Sequence, residues 1–168
     1  REPLFVWQRF NHFACSSVLA RKDKLKKCID RYRTLRGFKH RHEFDSIMPE
    51  TFVLPAQHPL FVSAFQREKA RVLQEAAQVE MKRDRTHKRE TESVSDANIW
   101  ILKPSGKSRG RGIFLLDDLA KIMYDSSFVA QRYVTNPLLF HGRKFDMRMY
   151  VLVTSFQPLV AYLYDEGF

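Results

Sequence analysis

From Asn98 the chain runs as a short apolar strand to Lys103, halts at Pro104, and opens into Ser105-Gly106-Lys107-Ser108-Arg109-Gly110-Arg111-Gly112 before the apolar piece Ile113 to Leu116. A proline stop and three glycines in seven residues exclude a helix across this stretch. The pattern reads as a short strand, then a loop rich in Gly, Ser and Arg, then an apolar piece. Glycines let a backbone approach a ligand and expose successive N–H groups that can hold phosphate oxygens, and the flanking Ser, Lys and Arg add hydroxyl donors and charge. Two common phosphate loops fail here. Gly106-Lys107-Ser108 resembles the end of a Walker A motif, but that motif needs a glycine where Ile101 stands. A G-x-G-x-x-G pattern begun at Gly110 needs a third glycine at Leu115. Taken alone, the loop reads equally well as a basic linker that touches RNA.

The strand after it carries charge. In Lys144-Phe145-Asp146-Met147-Arg148-Met149-Tyr150, alternation projects Lys144, Asp146 and Arg148 from one face and Phe145, Met147 and Met149 from the other, where they are expected to fill a core. The apolar run Tyr150 to Val153 continues it and predicts a buried central strand. Charges on such a strand need tight pairing or a polar ligand, and a nucleotide phosphate is the favoured one. The long strand is expected from Lys144 to Thr154, with a turn over Ser155 to Pro158 and a return over Leu159 to Tyr164. Phe128 to Val134 reads as a further strand, with Gln131 and Tyr133 on one side.

Upstream, apolar spacing predicts a basic helix over Ala20 to Leu35, a short strand over Glu50 to Leu54 and a helix from Phe61 to Arg83. Asp117 to Tyr124 also reads as helical. The tract Met81 to Ser95 holds Val94 as its one large apolar residue after Met81 and is expected to be a mobile surface loop.

Composition bounds the class. With 44% hydrophobic and 13% aromatic residues among 168, wholesale disorder is excluded, and no run reaches the roughly 20 apolar residues of a membrane span. Arg1 to Phe10 lacks the apolar core of a signal peptide. Cys15 and Cys28 do not make a disulfide framework, which points to a reducing compartment. Lys and Arg outnumber Asp and Glu 29 to 19, so a polyanionic partner is expected: nucleic acid, an anionic membrane and an acidic protein tail all fit the charge.

In order, these pieces resemble the tubulin tyrosine ligase-like family of ATP-grasp ligases. Leu19-Ala20-Arg21-Lys22-Asp23-Lys24-Leu25 is similar to the family's R-K-D-x-L segment, and Met48-Pro49-Glu50-Thr51-Phe52-Val53-Leu54-Pro55 to its P-x-T-[FY]-x-L-P. The match is most specific across Trp100 to Ile113 and Gln131 to Arg148. It is weakest between Pro55 and Asn98.

The resemblance implies an α+β, ATP-grasp-like fold: the end of an N-terminal region over 1–21, a central domain over 22–143 with a charged insertion at about 81–96, and the start of a C-terminal domain over 144–168. It expects that domain to continue past the turn Asp165 to Phe168. It implies ATP and Mg²⁺ as cofactors. Lys103 is then a phosphate lysine, with Lys22 reaching the nucleotide from upstream. Ser105, Ser108, Arg109, Gly110 and Gly112 belong to a loop that closes over the triphosphate. Gln131, Arg132 and Val134 sit at a hinge beside the adenine. Lys144, Asp146 and Arg148 face the triphosphate and substrates, with Lys144 and Arg148 in catalysis. The family's metal-binding acidic residues are expected beyond Phe168, with none inside this chain, and the stretch alone is expected to be inactive. The implied reaction joins an amino acid, glutamate foremost, to a carboxylate on acidic tubulin tails through an acylphosphate. Tubulin and microtubules are the implied partners, without nucleic acid or membrane, in the cytoplasm, on the cytoskeleton or at a cilium or basal body. Glycine or tyrosine addition, or an inactive tubulin-binding relative, are the alternatives.

Overall fold

The computed structural model describes residues 5–8, 13–36, 47–86, 98–122 and 127–167. The chain is α+β and forms two compact units, Arg1–Thr135 and Asn136–Phe168.

The first unit is a four-stranded antiparallel sheet with helices against it. A one-turn helix α1 (Ser17–Ala20) leads into α2 (Lys22–Arg36), followed by β1 (Thr51–Leu54), the long helix α3 (His58–Thr86), β2 (Trp100–Pro104), β3 (Phe114–Leu116) and β4 (Phe128–Arg132). The strand order is β1-β4-β2-β3. The register sets Thr51, Ile101 and Lys103, Val129 and Gln131 on one face, because Thr51 and Ile101 both pair with Gln131 and Lys103 pairs with Val129. The other face carries Phe52, Leu54, Trp100, Leu102, Phe114, Leu116, Phe128 and Ala130, and there the core forms against Phe61, Ala64 and Phe65 of α3.

The aromatic spacing explains the packing. Trp100 is fully buried, and the Phe61 ring meets it edge-on with centroids 5.0 Å apart, in the geometry aromatic quadrupoles favour. Phe52 lies 5.8 Å from both. The Trp100 indole N–H donates to Asn98 Oδ1 at 2.9 Å, and the Asn98 amide donates to the Phe65 carbonyl at 3.0 Å, so the buried polar atom is satisfied. Helix α3 runs 29 residues, beginning before the expected Phe61 and ending after Arg83. Its apolar stripe does not stay buried: Leu73 is 62% exposed, because the four-stranded sheet is shorter than a helix of about 43 Å.

Several expectations are corrected. Residues 81–86 of the charged tract continue α3, and the remainder to 96 lies outside the described residues. In place of a helix over Asp117 to Tyr124 there is a single 3₁₀ turn, Leu119–Lys121, with 123–124 outside the described residues. The Asp118 carboxylate takes the Ala120 N–H at 3.0 Å, a local bond that competes with helix growth.

In the second unit β5 (Leu139–Phe140) pairs with β6 (Arg143–Lys144), and β7 (Val151–Phe156) pairs with β8 (Leu159–Leu163). The long strand expected from Lys144 is therefore interrupted over 145–150. Extending the β5–β6 register would set Asp146 opposite Pro137, which has no N–H to share. The expected burial also fails. Met147 is 73% exposed, and Phe145, Met149, Tyr150, Val151 and Leu152 are exposed as well, since two-stranded ribbons supply no second layer to cover an apolar face. The hairpin forms as expected, but β7 runs on through Ser155 and Phe156, so the turn is only Gln157-Pro158, and the returning strand ends at Leu163.

Among the described residues no helix is long and apolar enough to cross a membrane, and Cys15 and Cys28 are free thiols.

Candidate functional site

In the unit Arg1–Thr135 two groups of the expected residues come together, one on the sheet face opposite the aromatic core and one at the end of β2. The first is Lys103 with Gln131. Lys103 alternates away from Leu102, so its side chain leaves the core and its ammonium donates to Gln131 Oε1 at 2.8 Å. The two are diagonal neighbours on adjacent strands, the spacing at which long side chains meet. Gln131 in turn donates to Thr51 Oγ1 at 2.9 Å, and Thr51 donates to the Pro49 carbonyl at 2.6 Å. Thr51 was not singled out from the sequence. A nearly buried hydroxyl in the otherwise apolar run Thr51-Phe52-Val53-Leu54 is the signal that would have found it.

The second group is the glycine-rich loop with Lys22. The Lys22 ammonium, at the start of α2, donates to the Lys107 carbonyl at 2.8 Å and the Pro104 carbonyl at 3.3 Å, tying residues more than 80 positions apart. Both oxygens belong to the first half of the loop or its stem. The second half folds back on them through local turns, with the Arg111 N–H on the Ser108 carbonyl and the Ile113 N–H on the Gly110 carbonyl, each at 3.3 Å. Arg109 and Gly110 take positive φ, 58° and 72°. Gly112 closes the loop: at φ +71°, a Cβ there would stand 3.2 Å from Pro104 Cγ and 3.7 Å from Lys107 Nζ. Only glycine suits both that backbone angle and that approach.

The third set is placed differently from expectation. Ser105 is buried, its hydroxyl 3.1 Å from the Ser127 hydroxyl and its N–H on the Ser127 carbonyl at 3.0 Å. It pins the loop's stem to β4. Arg132 points to the core face, where it donates to Glu68 of α3 at 2.6 Å and its guanidinium carbon lies 5.9 Å from the Trp100 ring centroid. Burial by itself pushes the Glu68 carboxyl up, but hydrogen bonds from Arg132 and Arg71 outweigh it and hold the group below the usual carboxylate range. Val134 follows the end of β4, half exposed. In the second unit Lys144 ends β6, while Asp146 and Arg148 lie exposed in the irregular run that follows.

A cleft of about 140 Å³ lies between α2 and Met48 to Phe52, lined in part by Lys26, Arg33 and Glu50. Lys26 pairs with Asp30 and Glu50 with Arg67, so their charges are already matched.

Chemically, the Lys103 face and the loop form an anion-receptive region. Lys22, Lys103, Lys107, Arg109 and Arg111 are the cationic side chains of these two groups, and with the loop's backbone N–H groups they are of the chemical type that can hold a polyphosphate. Among the described residues no group of three or more His, Cys, Asp or Glu side chains could hold a metal ion.

Comparison with known proteins agrees with the motifs. The profile of the Tubulin-tyrosine ligase family matches residues 1–168. The chain is 38% identical over 160 residues to human tubulin polyglutamylase TTLL5, covering 95% of the chain and 10% of that relative. It is 35% identical over 161 residues to the mouse probable tubulin polyglutamylase TTLL2, covering 96% of the chain and 25% of the relative. Against the probable alpha-tubulin polyglutamylase Ttll1 of Tetrahymena thermophila it is 31% identical over 186 residues, covering 96% and 38%. The chain thus spans from a tenth to under two fifths of the length of these relatives. It belongs to the tubulin-tyrosine ligase family.

Proposed function

We propose that this chain is the nucleotide-gripping part of an ATP-grasp-like ligase that adds an amino acid, glutamate foremost, to carboxylates on acidic tubulin tails. The observation that carries the reading is the convergence, within one unit, of Lys103 with Gln131 and of Lys22 with the glycine-rich loop, in a family whose relatives are named as tubulin polyglutamylases.

ATP, when bound, would supply the γ-phosphoryl group that activates the acceptor carboxylate, with ADP as the leaving group, so that the incoming amine could then displace inorganic phosphate. The chain's own residues bind and orient. Lys103 offers its ammonium to phosphate oxygens, where a fixed cation stabilises charge that would otherwise need water. The loop offers N–H groups around Ser108 to Gly112, with Arg109 and Arg111 adding charge. Lys144 and Arg148, in the second unit, stand in the motif that the family resemblance assigns to catalysis. Coordination of Mg²⁺ is left to residues outside those described. The net charge of +10 steers an acidic tail toward the protein without choosing among tails. Such an enzyme works in the cytoplasm on microtubules, including those of cilia.

The test is the full-length protein assayed with each labelled amino acid on tubulin, beside Lys103→Met. Glutamate incorporation is expected, with a loss of about 10²–10³-fold in the variant. Preferred incorporation of glycine or tyrosine would move the specificity. Tubulin binding without any incorporation would leave an inactive relative.

A further inference from the structure

We infer that Thr51 is a positioning residue for the nucleotide site, acting through the Gln131 amide to set where the Lys103 ammonium stands. The inference rests on the nucleotide reading above and adds a residue to it.

The argument is one of hydrogen-bond direction. The Thr51 hydroxyl has a single proton, and at 2.6 Å that proton goes to the Pro49 carbonyl. Its oxygen can then only accept from Gln131, which must therefore turn its NH₂ toward Thr51, at 2.9 Å. A primary amide presenting NH₂ on one side presents its oxygen on the other. That oxygen meets the Lys103 ammonium at 2.8 Å. Reversing the amide would aim NH₂ at an ammonium and oxygen at a lone pair, a double mismatch. One backbone carbonyl thus orients three side chains in series across β1, β4 and β2.

The strands make the relay stiff. Thr51 and Gln131 are directly paired across β1 and β4, and Lys103 lies diagonally from Gln131 across β4 and β2. Thr51 is only 5% exposed, so water does not readily replace its hydroxyl. A long, flexible lysine held by the Gln131 amide oxygen has its position set before a phosphate arrives, which reduces the ordering left for binding.

The experiment uses the full-length protein and measures ATP affinity for Thr51→Val, which keeps shape and β-branching, and for Thr51→Ser, which restores the hydroxyl. Lys103→Met serves as the reference, and the same Thr51→Val change is made in a Gln131→Met background. Thr51→Val is expected to weaken ATP binding roughly tenfold. Thr51→Ser should bind as the parent does. In the Gln131→Met background, Thr51→Val should add nothing further, a coupling that a purely structural role would not produce. If Thr51→Val binds ATP normally while Lys103→Met does not, or if its effect persists without Gln131, the positioning role is overturned and the nucleotide reading stands. If Lys103→Met itself binds ATP normally, the nucleotide reading falls and takes the relay with it.

Discussion

At the residue scale, the same side-chain type serves different ends according to where it stands. Lys103 and Lys22 are both lysines expected at the nucleotide, yet one is held by an amide and the other by loop carbonyls. Lys22 therefore doubles as a strap on the glycine-rich loop. Replacing it by Met should release the loop and speed tryptic cleavage at Arg109 and Arg111, with little change in the global melting temperature, because the core is untouched. Gly112→Ala tests the closure from the other side. The left-handed backbone alone costs about 1–2 kcal/mol for an L-residue, and the contact with Pro104 adds to it. A several-fold rise in the KM for ATP is expected. Gly167 poses a similar demand in the second unit: a Cβ there would overlap the Arg148 carbonyl oxygen, so Gly167→Ala must shift the backbone that carries Arg148.

At the scale of elements, β4 owes its placement to an ion pair as well as to its ladders. Arg132 at its end reaches Glu68, which also holds Arg71 on the next turn of α3. Glu68 is held below its ordinary value near 4.5, so its contribution is present above that pH and is lost as pH falls through the lower folded value. Glu68→Gln should cost about 1–2 kcal/mol at neutral pH by denaturant unfolding. The gap between variant and parent should shrink as the solution is acidified below that ordinary value and the Glu68 carboxylate takes up its proton. A gap that stayed constant with pH would show that the carboxylate charge contributes nothing. On the same face, Leu102→Ala should cost about 2–5 kcal/mol, since Leu102 is fully buried between the sheet and α3.

At the scale of the whole molecule, the charge balance is the feature with a function that no single residue carries. With 29 cationic against 19 anionic side chains, binding of a glutamate-rich peptide should weaken steeply between about 50 and 200 mM salt, as screening shortens the reach of the field. Titration by fluorescence anisotropy at both salt concentrations checks it, and salt-independent affinity would assign the recognition to apolar contacts instead.

How much was legible in advance follows the range of the forces involved. The helices α2 and α3, the strands β1, β2 and β4 and the β7–β8 hairpin could be read from the sequence, because each depends on local spacing of apolar residues. The glycine-rich loop was legible too, and Lys103, Gln131 and Lys22 were singled out because they stand in ordered motifs. The break between Lys144 and Val151 could not be read, because it depends on Pro137 coming opposite the strand, and alternation along one segment says nothing of its partner. Nor could the separate fates of Gln131 and Arg132: adjacent in sequence, they project from opposite faces, one toward Lys103 and the other toward Glu68. The amino-acid sequence alone determined which residues are available and which elements they build. The tertiary structure decided which side chains meet, because strand register across three separate segments joins Thr51, Gln131 and Lys103 and is set by packing on the opposite, aromatic face.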